Sequence, residues 1–248
     1  MKNEKLEIKT DLHTHTTAST HAYSTILENV KVAAEKGMEL IAMTNHGSAL
    51  ADGAHFVHFL NLRTIPEKIC GVKVLKGIEA NVLNIDGELD LFDDFMPELD
   101  IVIASCHVDL AGGENSKVFM PHCDEDFVKL YENLAKDDRI DIIGHINRTK
   151  FINKMDYIIP LLRDSNKLIE INTCCHSERQ KAELIKLIDM CYKHNAKIVV
   201  NSDAHYCSLI GDYRGYDEYL TKIGYPPELV INRNAQTILQ WLHEHHKK

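Results

Sequence analysis

The chain has 248 residues, 44% of them apolar and 26% charged, an ordinary balance for a folded protein with a sizeable core. Its formal net charge of -9 argues against a broad nucleic-acid surface, where Lys and Arg supply the affinity for phosphates, but leaves room for a nucleotide in a metal pocket. The seven cysteines are scattered without a CxxC spacing and argue against a disulfide framework. No signal-peptide core or long apolar run is present, so a soluble cytoplasmic protein with no membrane partner is expected.

In chain order, an extended run over 6–12 comes first. Thr25 with Glu28 forms a capping-box pattern; Ile26, Val30 and Ala33 share one helical face, and Gly37 is placed to stop that helix. Extended runs follow at 40–44 and 72–80. Around 82–91, Asp86 and Gly87 lie between Leu83 and Ile85 on one side and Leu89 and Leu91 on the other, a hairpin pattern. Further runs cover 101–105, 140–144 and 168–171. Ser177 opens a helix with the stripe Leu184, Ile188 and Cys191, ending before Asn195, and a last run covers 197–200. Beyond Pro226 and Pro227, a short strand is expected at 229–231 and a helix at 235–246. Strands alternating with helices predict parallel α/β architecture. No linker or repeat interrupts it, so a single domain over 1–248 is expected.

The chemistry-bearing residues cluster at the ends of these strands. His13 and His15, in Asp11-Leu12-His13-Thr14-His15, end the first, with His21 beyond; His46 follows the second in Thr44-Asn45-His46, and Glu79 ends the third. His107 and His145 follow the fourth and fifth, and Asp203 and His205 follow the seventh. The C-terminal ends of parallel barrel strands converge on one face, whereas packing histidines would scatter. An H-x-H pair on extended chain sends both rings to one side. Imidazole and carboxylate suit borderline divalent metals, and an open coordination position activates water.

These segments resemble the PHP superfamily, named for polymerase and histidinol phosphatase, and within it the YcdX-like stand-alone metal-dependent phosphatases. The likeness is carried by the D-L-H-T-H run, His21-Ala22-Tyr23-Ser24-Thr25, Gly77-Ile78-Glu79-Ala80-Asn81 and Ser202-Asp203-Ala204-His205. It implies a distorted (β/α)7 barrel with a metal site at the C-terminal ends of the strands. It also implies three divalent ions per chain: one held by His13, His15, Glu79 and Asp203, a second by Glu79, His107 and His145, a third by His21, His46 and His205. Glu79 then bridges two ions. Zinc is the first candidate, with manganese or iron as alternatives; magnesium alone prefers oxygen ligands. The family's usual Thr-Asp-His reads Thr44-Asn45-His46 here, and Asn45 is expected to hydrogen-bond behind His46, with Asp11 orienting a histidine.

Three divalent ions against two carboxylates leave about +4, with the imidazoles neutral. The implied substrate is therefore an anion. The function expected is phosphatase hydrolysis of a small phosphate monoester by a metal-bound hydroxide held by Glu79, His13, His15 and Asp203. Arg63, Arg148 and Arg179 are candidate anchors for a phosphate or carboxylate, and His58 a candidate substrate contact, each equally readable as a surface residue. Cys106 reads as a buried small hydrophobe. Cys174, Cys175 and His176 follow a strand expected to give no ligand, with Asn172 the better polar candidate there, and His243, His245 and His246 read as an exposed helix end. The alternatives are a histidinol phosphatase, a 3'-5' nuclease, and a metal-binding protein without turnover. The sequence sets no oligomeric state.

Overall fold

The computed structural model describes residues 6–108 and 117–247. Its strands are β1 (Thr10–Thr14), β2 (Leu40–Met43), β3 (Lys68–Ile69), β4 (Val72–Asn81), β5 (Ile101–Ser105), β6 (Ile142–Ile143), β7 (Leu168–Asn172) and β8 (Ile198–Asn201). All but β3 run parallel in the order β1-β2-β4-β5-β6-β7-β8, while β3 pairs antiparallel outside β4. Val, Ile and Leu dominate these strands because both faces are covered.

The seam between β8 and β1 is closed by different means. At the top, Thr14 bridges Ala204, and the His15 amide donates to the Ala204 carbonyl at 2.9 Å. Below, Asn232 stands in for the missing ladder: its amide nitrogen donates to Thr10 O at 3.0 Å and Val200 O at 2.7 Å, and its Oδ1 accepts from the Val200 amide at 2.9 Å. A side-chain wedge thus completes a distorted seven-stranded barrel. The strand expected at 229–231 is instead two 3-10 turns, Pro227–Leu229 and Ile231–Arg233, with one bridge from Ile198 to Val230. Pro226 and Pro227 lack the N–H donors a longer ladder would need.

The outer layer contains α1 (Ile26–Glu35), α2 (Phe56–Leu60), α3 (Asp124–Leu134), α4 (Met155–Asp164), α5 (Glu178–Lys193) and α6 (Tyr216–Ile223). The capping box of Thr25 and Glu28 opens α1, and the Ser177 side chain caps α5, burying Leu184, Ile188 and Cys191. The hairpin at 82–91 is present, with Leu83 N donating to Glu88 O at 2.8 Å across a turn where Gly87 has φ 83.

A final helix, α7 (Ala235–His245), closes the bottom of the barrel. Leu12, Leu40, Leu75, Ile103, Leu168 and Val199 fill the lower interior and pack against Ile238, Trp241 and Leu242. Only part of this helix end is the exposed terminus expected of it: His243 and His246 are exposed, and His245 is not. His245 is buried and stacks on Trp241 at 4.5 Å, while His246 Nε2 lies 2.9 Å from Asp141 Oδ1. Indole and carboxylate at the barrel floor give these rings partners that helical periodicity does not reveal. All seven cysteines are free thiols. Among the described residues no helix is long and apolar enough to cross a membrane.

Candidate metal centre

The site begins with a fault in β1. This strand pairs with β2 through Asp11 opposite Ile41, but the next pairing is Thr14 with Met43, so β1 carries one extra residue. Such a bulge re-aims side chains. Leu12 enters the apolar lower core, and yet its neighbour His13 also points inward, toward Glu79, Glu170 and Asp203.

On β4, Leu75, Gly77 and Glu79 follow one another on the inward face at a spacing of two. The Glu79 carboxylate is fully buried and gathers five imidazoles. Its Oε2 lies 2.8 Å from His46 Nδ1, 3.2 Å from His13 Nε2 and 3.6 Å from His15 Nε2; its Oε1 lies 2.9 Å from His145 Nε2 and 3.1 Å from His107 Nε2. Asp203 Oδ1 completes the group at 3.0 Å from His15 Nε2 and 3.5 Å from both His13 Nε2 and His205 Nδ1. His205 Nε2 faces His21 Nε2 at 2.8 Å, and the His21 side chain is 43% exposed. All nine expected ligands therefore meet on one face.

Two of them sit on strained backbone. Asp203 has φ 53 and His145 φ 22, left-handed values that cost a residue other than glycine about 1–3 kcal/mol and persist only where surroundings enforce them. Asp11 helps enforce the first: it accepts from Ser202 N at 3.1 Å, Ser202 Oγ at 2.5 Å and Gly211 N at 2.9 Å. It reaches His13 only through the backbone amide, at 3.5 Å, and so does not orient a ring. The Asn45 side chain likewise makes its hydrogen bonds to Thr16, Ser19 and His58 and not to the His46 ring. Its Oδ1 accepts from Thr16 N and Ser19 Oγ at 2.8 and 3.1 Å, and Ser19 Oγ in turn accepts from the His46 amide at 3.1 Å. Asn45 holds the loop on which His46 leans.

The residue that orients a ligand ring is Glu170, on the strand expected to contribute none. Its Oε1 lies 2.7 Å from His13 Nδ1 and accepts from Asn201 Nδ2 at 2.9 Å; its Oε2 accepts from the His145 amide at 2.8 Å and Asn172 Nδ2 at 3.1 Å. The sequence signal was an acid in the middle of the apolar run Leu168-Ile169-Glu170-Ile171. His107 Nδ1 has Asn81 Oδ1 at 2.8 Å, and His21 Nδ1 has Asp52 Oδ2 at 2.5 Å.

Electrostatics separate these groups. Burial alone raises the Glu79 and Asp203 carboxyls, but the surrounding His13 and other imidazoles, with Arg148 beside Asp203, hold both well below the usual range. Burial lowers His13 too, yet Glu170, Glu79 and Asp203 overcome it and hold its pKa well above the ordinary value. His15 is pushed well down by burial and by His46, and His145 falls to about 4 through burial and Arg148.

Among the described residues, several buried atoms at the centre have no hydrogen-bond partner: His13 Nε2, His15 Nδ1, both nitrogens of His46, Glu79 Oε2 and His107 Nε2. His46 Nδ1 is close to Glu79 but out of hydrogen-bonding alignment. Orphaned buried polar atoms are rare, and here they converge. Ligand atoms of His13, His15 and Asp203 lie within 4.8 Å of one another, as do those of His46, Glu79 and His107 and those of His15, His46 and His205. The first trio falls inside one expected set, and the other two cross between sets. This nitrogen-rich donor set with two carboxylates fits divalent ions of the zinc type.

Above the centre opens a cavity of about 520 Å³, large enough for a small metabolite. Leu50, Val108 and Leu209 form apolar wall, and Arg148 and Arg214 bring two guanidinium groups. Arg148 Nη2 donates to Asp203 Oδ2 at 3.1 Å and to Asn172 Oδ1 and Cys174 O at 3.0 Å. Arg63 and Arg179 are exposed and do not line the cavity, and Arg179 lies 3.7 Å from Glu183 along α5. His58 stands behind Asn45, its Nε2 3.2 Å from Asn45 Nδ2. Of the four expected substrate contacts only Arg148 lines the cavity, and the sequence offered no signal for Arg214. Cys106 is buried, its thiol pushed up to about 12 by that burial.

Residues 11–174 match the profile of the PHP domain. A probable phosphatase of Caldanaerobacter subterraneus subsp. tengcongensis is 37% identical over 248 residues, covering 98% of this chain and 94% of that one. One from Clostridium botulinum is 35% identical over 234 residues, covering 94% and 93%. Among solved structures, a histidinol phosphate phosphatase of Lactococcus lactis subsp. lactis, complexed with zinc, L-histidinol and phosphate, superposes with a TM-score of 0.60 at 14% identity over 88% of this chain and 94% of that one. An archaeal ribonuclease P with mature tRNA gives 0.57 at 14% identity, covering 95% and 91%. At such identity these two likenesses speak for the fold alone.

Proposed function

The chain belongs to the PHP domain family of phosphoester hydrolases, and on that premise we propose that it removes phosphate from a small phosphate monoester at a centre of three divalent ions. The observation that carries this reading is the convergence of partnerless buried nitrogens on the Glu79 carboxylate, an arrangement that is costly without cations between them. The residues that would hold the ions are His13, His15, His21, His46, Glu79, His107, His145, Asp203 and His205. Zinc is the first candidate.

When bound, such ions supply Lewis acidity toward phosphoryl oxygens and lower the pKa of coordinated water. The chain's own groups do the positioning. Glu170 accepts from His13 Nδ1 and so leaves Nε2 free to ligate. Arg148, tied to Asp203, Asn172 and Cys174 through one nitrogen, presents its remaining N–H groups to a phosphate oxygen entering the cavity. Leu50, Val108 and Leu209 hold the organic part of the ester and exclude water from it.

The test is elemental analysis of gently purified protein beside a screen of phosphate esters that includes histidinol phosphate and single-stranded DNA. About three ions per chain and turnover of small monoesters in proportion to bound metal are expected. A protein that holds no more than one ion after reconstitution overturns the trinuclear reading, and full metal loading without turnover of any monoester overturns the phosphatase reading.

A further inference from the structure

Two guanidinium groups enter the cavity, and they are anchored differently. Arg148 is already paired with a carboxylate, Asp203, at the edge of the metal centre. Arg214 is not: its Nη1 donates to the Cys175 carbonyl at 2.7 Å, and among the described residues no carboxylate pairs with its side chain. The two anchors, Cys174 O for Arg148 and Cys175 O for Arg214, are consecutive carbonyls of the segment after β7. That segment therefore spaces two cations along one wall, the first beside the metal ligands and the second one peptide further along.

The backbone beneath Arg214 is also unusual. Its φ is 49 and that of Gly215 is 80, so two successive residues are left-handed. Glycine suits such a conformation and arginine does not. Asp212 Oδ1 accepts from the Arg214 backbone amide at 3.1 Å and not from its guanidinium; a strained residue whose side-chain charge lines a cavity without a carboxylate paired to it points to a ligand.

We infer that Arg214 binds a second anionic group of the substrate, a carboxylate or a second phosphate, separated by a short spacer from the phosphate that is cleaved. This rests on the phosphatase reading above, since the metal centre and Arg148 then engage the scissile phosphate. Nη1 is fixed on Cys175 O, which leaves Nη2 and Nε to form charge-assisted hydrogen bonds with the second anion. The apolar residues Leu50, Val108 and Leu209 leave the middle of the substrate without specific recognition. The preferred class is thus a phosphorylated carboxylic acid or a bisphosphate rather than a phosphorylated neutral alcohol or amine.

The experiment compares binding of three non-hydrolysable probes to the metal-loaded protein by calorimetry: propylphosphonate, 3-phosphonopropionate and propane-1,3-bisphosphonate. Turnover of glycerol 3-phosphate and 3-phosphoglycerate is measured beside it. Wild type should favour at least one dianionic-end probe over propylphosphonate by roughly 10- to 100-fold, the value of hydrogen bonds to a charged group, and the better of the two identifies the group recognised. Arg214→Gly, which suits the left-handed backbone and should fold, should reduce that ratio to about one, and Arg214→Lys should retain part of it. Equal binding of all three probes by wild type, or an undiminished ratio in Arg214→Gly, overturns the inference while leaving the phosphatase reading intact. Selective binding without turnover of any monoester in the wider screen overturns the phosphatase reading and keeps the anion site.

Discussion

At the residue scale, the candidate centre is braced by an acid outside the expected ligand set. Glu170 receives four donors, two on each oxygen, so a glutamine in either orientation would turn its NH2 toward two N–H groups. Glu170→Gln should therefore misplace the His13 ring and the His145 amide together. A loss of about 10- to 100-fold in metal affinity or activity is expected, as for other partners behind metal-ligating histidines, read by elemental analysis and by turnover. Wild-type values for both would show that His13 needs no such partner. Residue by residue, the candidate ligands were legible in the sequence because histidines and acids gathered at strand ends are an uncommon pattern. Their supports were not. Glu170 contacts His13 from 157 positions away, and the roles of Asn45 and Asp11 depend on loops, around Thr16 to Ser19 and around Ser202 to Gly211, whose course no local pattern fixes. The same holds for Arg214, an arginine in a loop whose importance comes only from the wall it joins.

At the element scale, the seven parallel strands were readable because each is an apolar run bounded by turns, and the caps of α1 and α5 because Thr25 and Ser177 precede a helical stripe. The bulge in β1 was not, since it arises from pairing with β2 and not from composition. Close approach of strands beneath the site gives a sharper test. A Cβ at Gly144 would collide with Ser105 Oγ and lie 2.9 Å from Ile103 Cγ2, so β5 and β6 can run this close only with glycine there. Gly144→Ala should push the start of the His145 loop outward, away from Glu79. Overpacking of this kind costs about 1–3 kcal/mol, or roughly 2–12 °C in Tm for a chain of this size, and should lower metal content as well. Adding Ser105→Ala removes one of the two clashes and should recover part of the loss. A double variant that is simply the sum of its singles would show that the collision is absent.

At the scale of the whole molecule, the candidate ligands come from distant parts of the chain, from His13 on β1 to His205 beyond β8, across a seam that lacks a regular ladder and is held by Asn232, one bridge and the hydrogen bonds of Asp11 to Ser202. Ions at this centre would hold the two sides of the seam together. They bind the folded chain and find no such array in the unfolded one, so they stabilise it by mass action, by about 4 kcal/mol when free metal exceeds its dissociation constant about 1,000-fold. Removal by a chelator should then lower Tm by roughly 8–16 °C and restore it on readdition. Protonated imidazole cannot ligate, so binding releases protons and weakens in acid. The Tm difference between loaded and stripped protein should accordingly narrow as pH falls, beginning with His13, whose pKa is held well above the ordinary value, and ending only toward His145 at about 4. Scanning calorimetry across that range, with metal content measured at each point, checks both statements. An unchanged Tm after complete removal of metal would mean that the Asn232 seam and the α7 floor hold the barrel unaided, and that the buried histidines tolerate one another without cations between them.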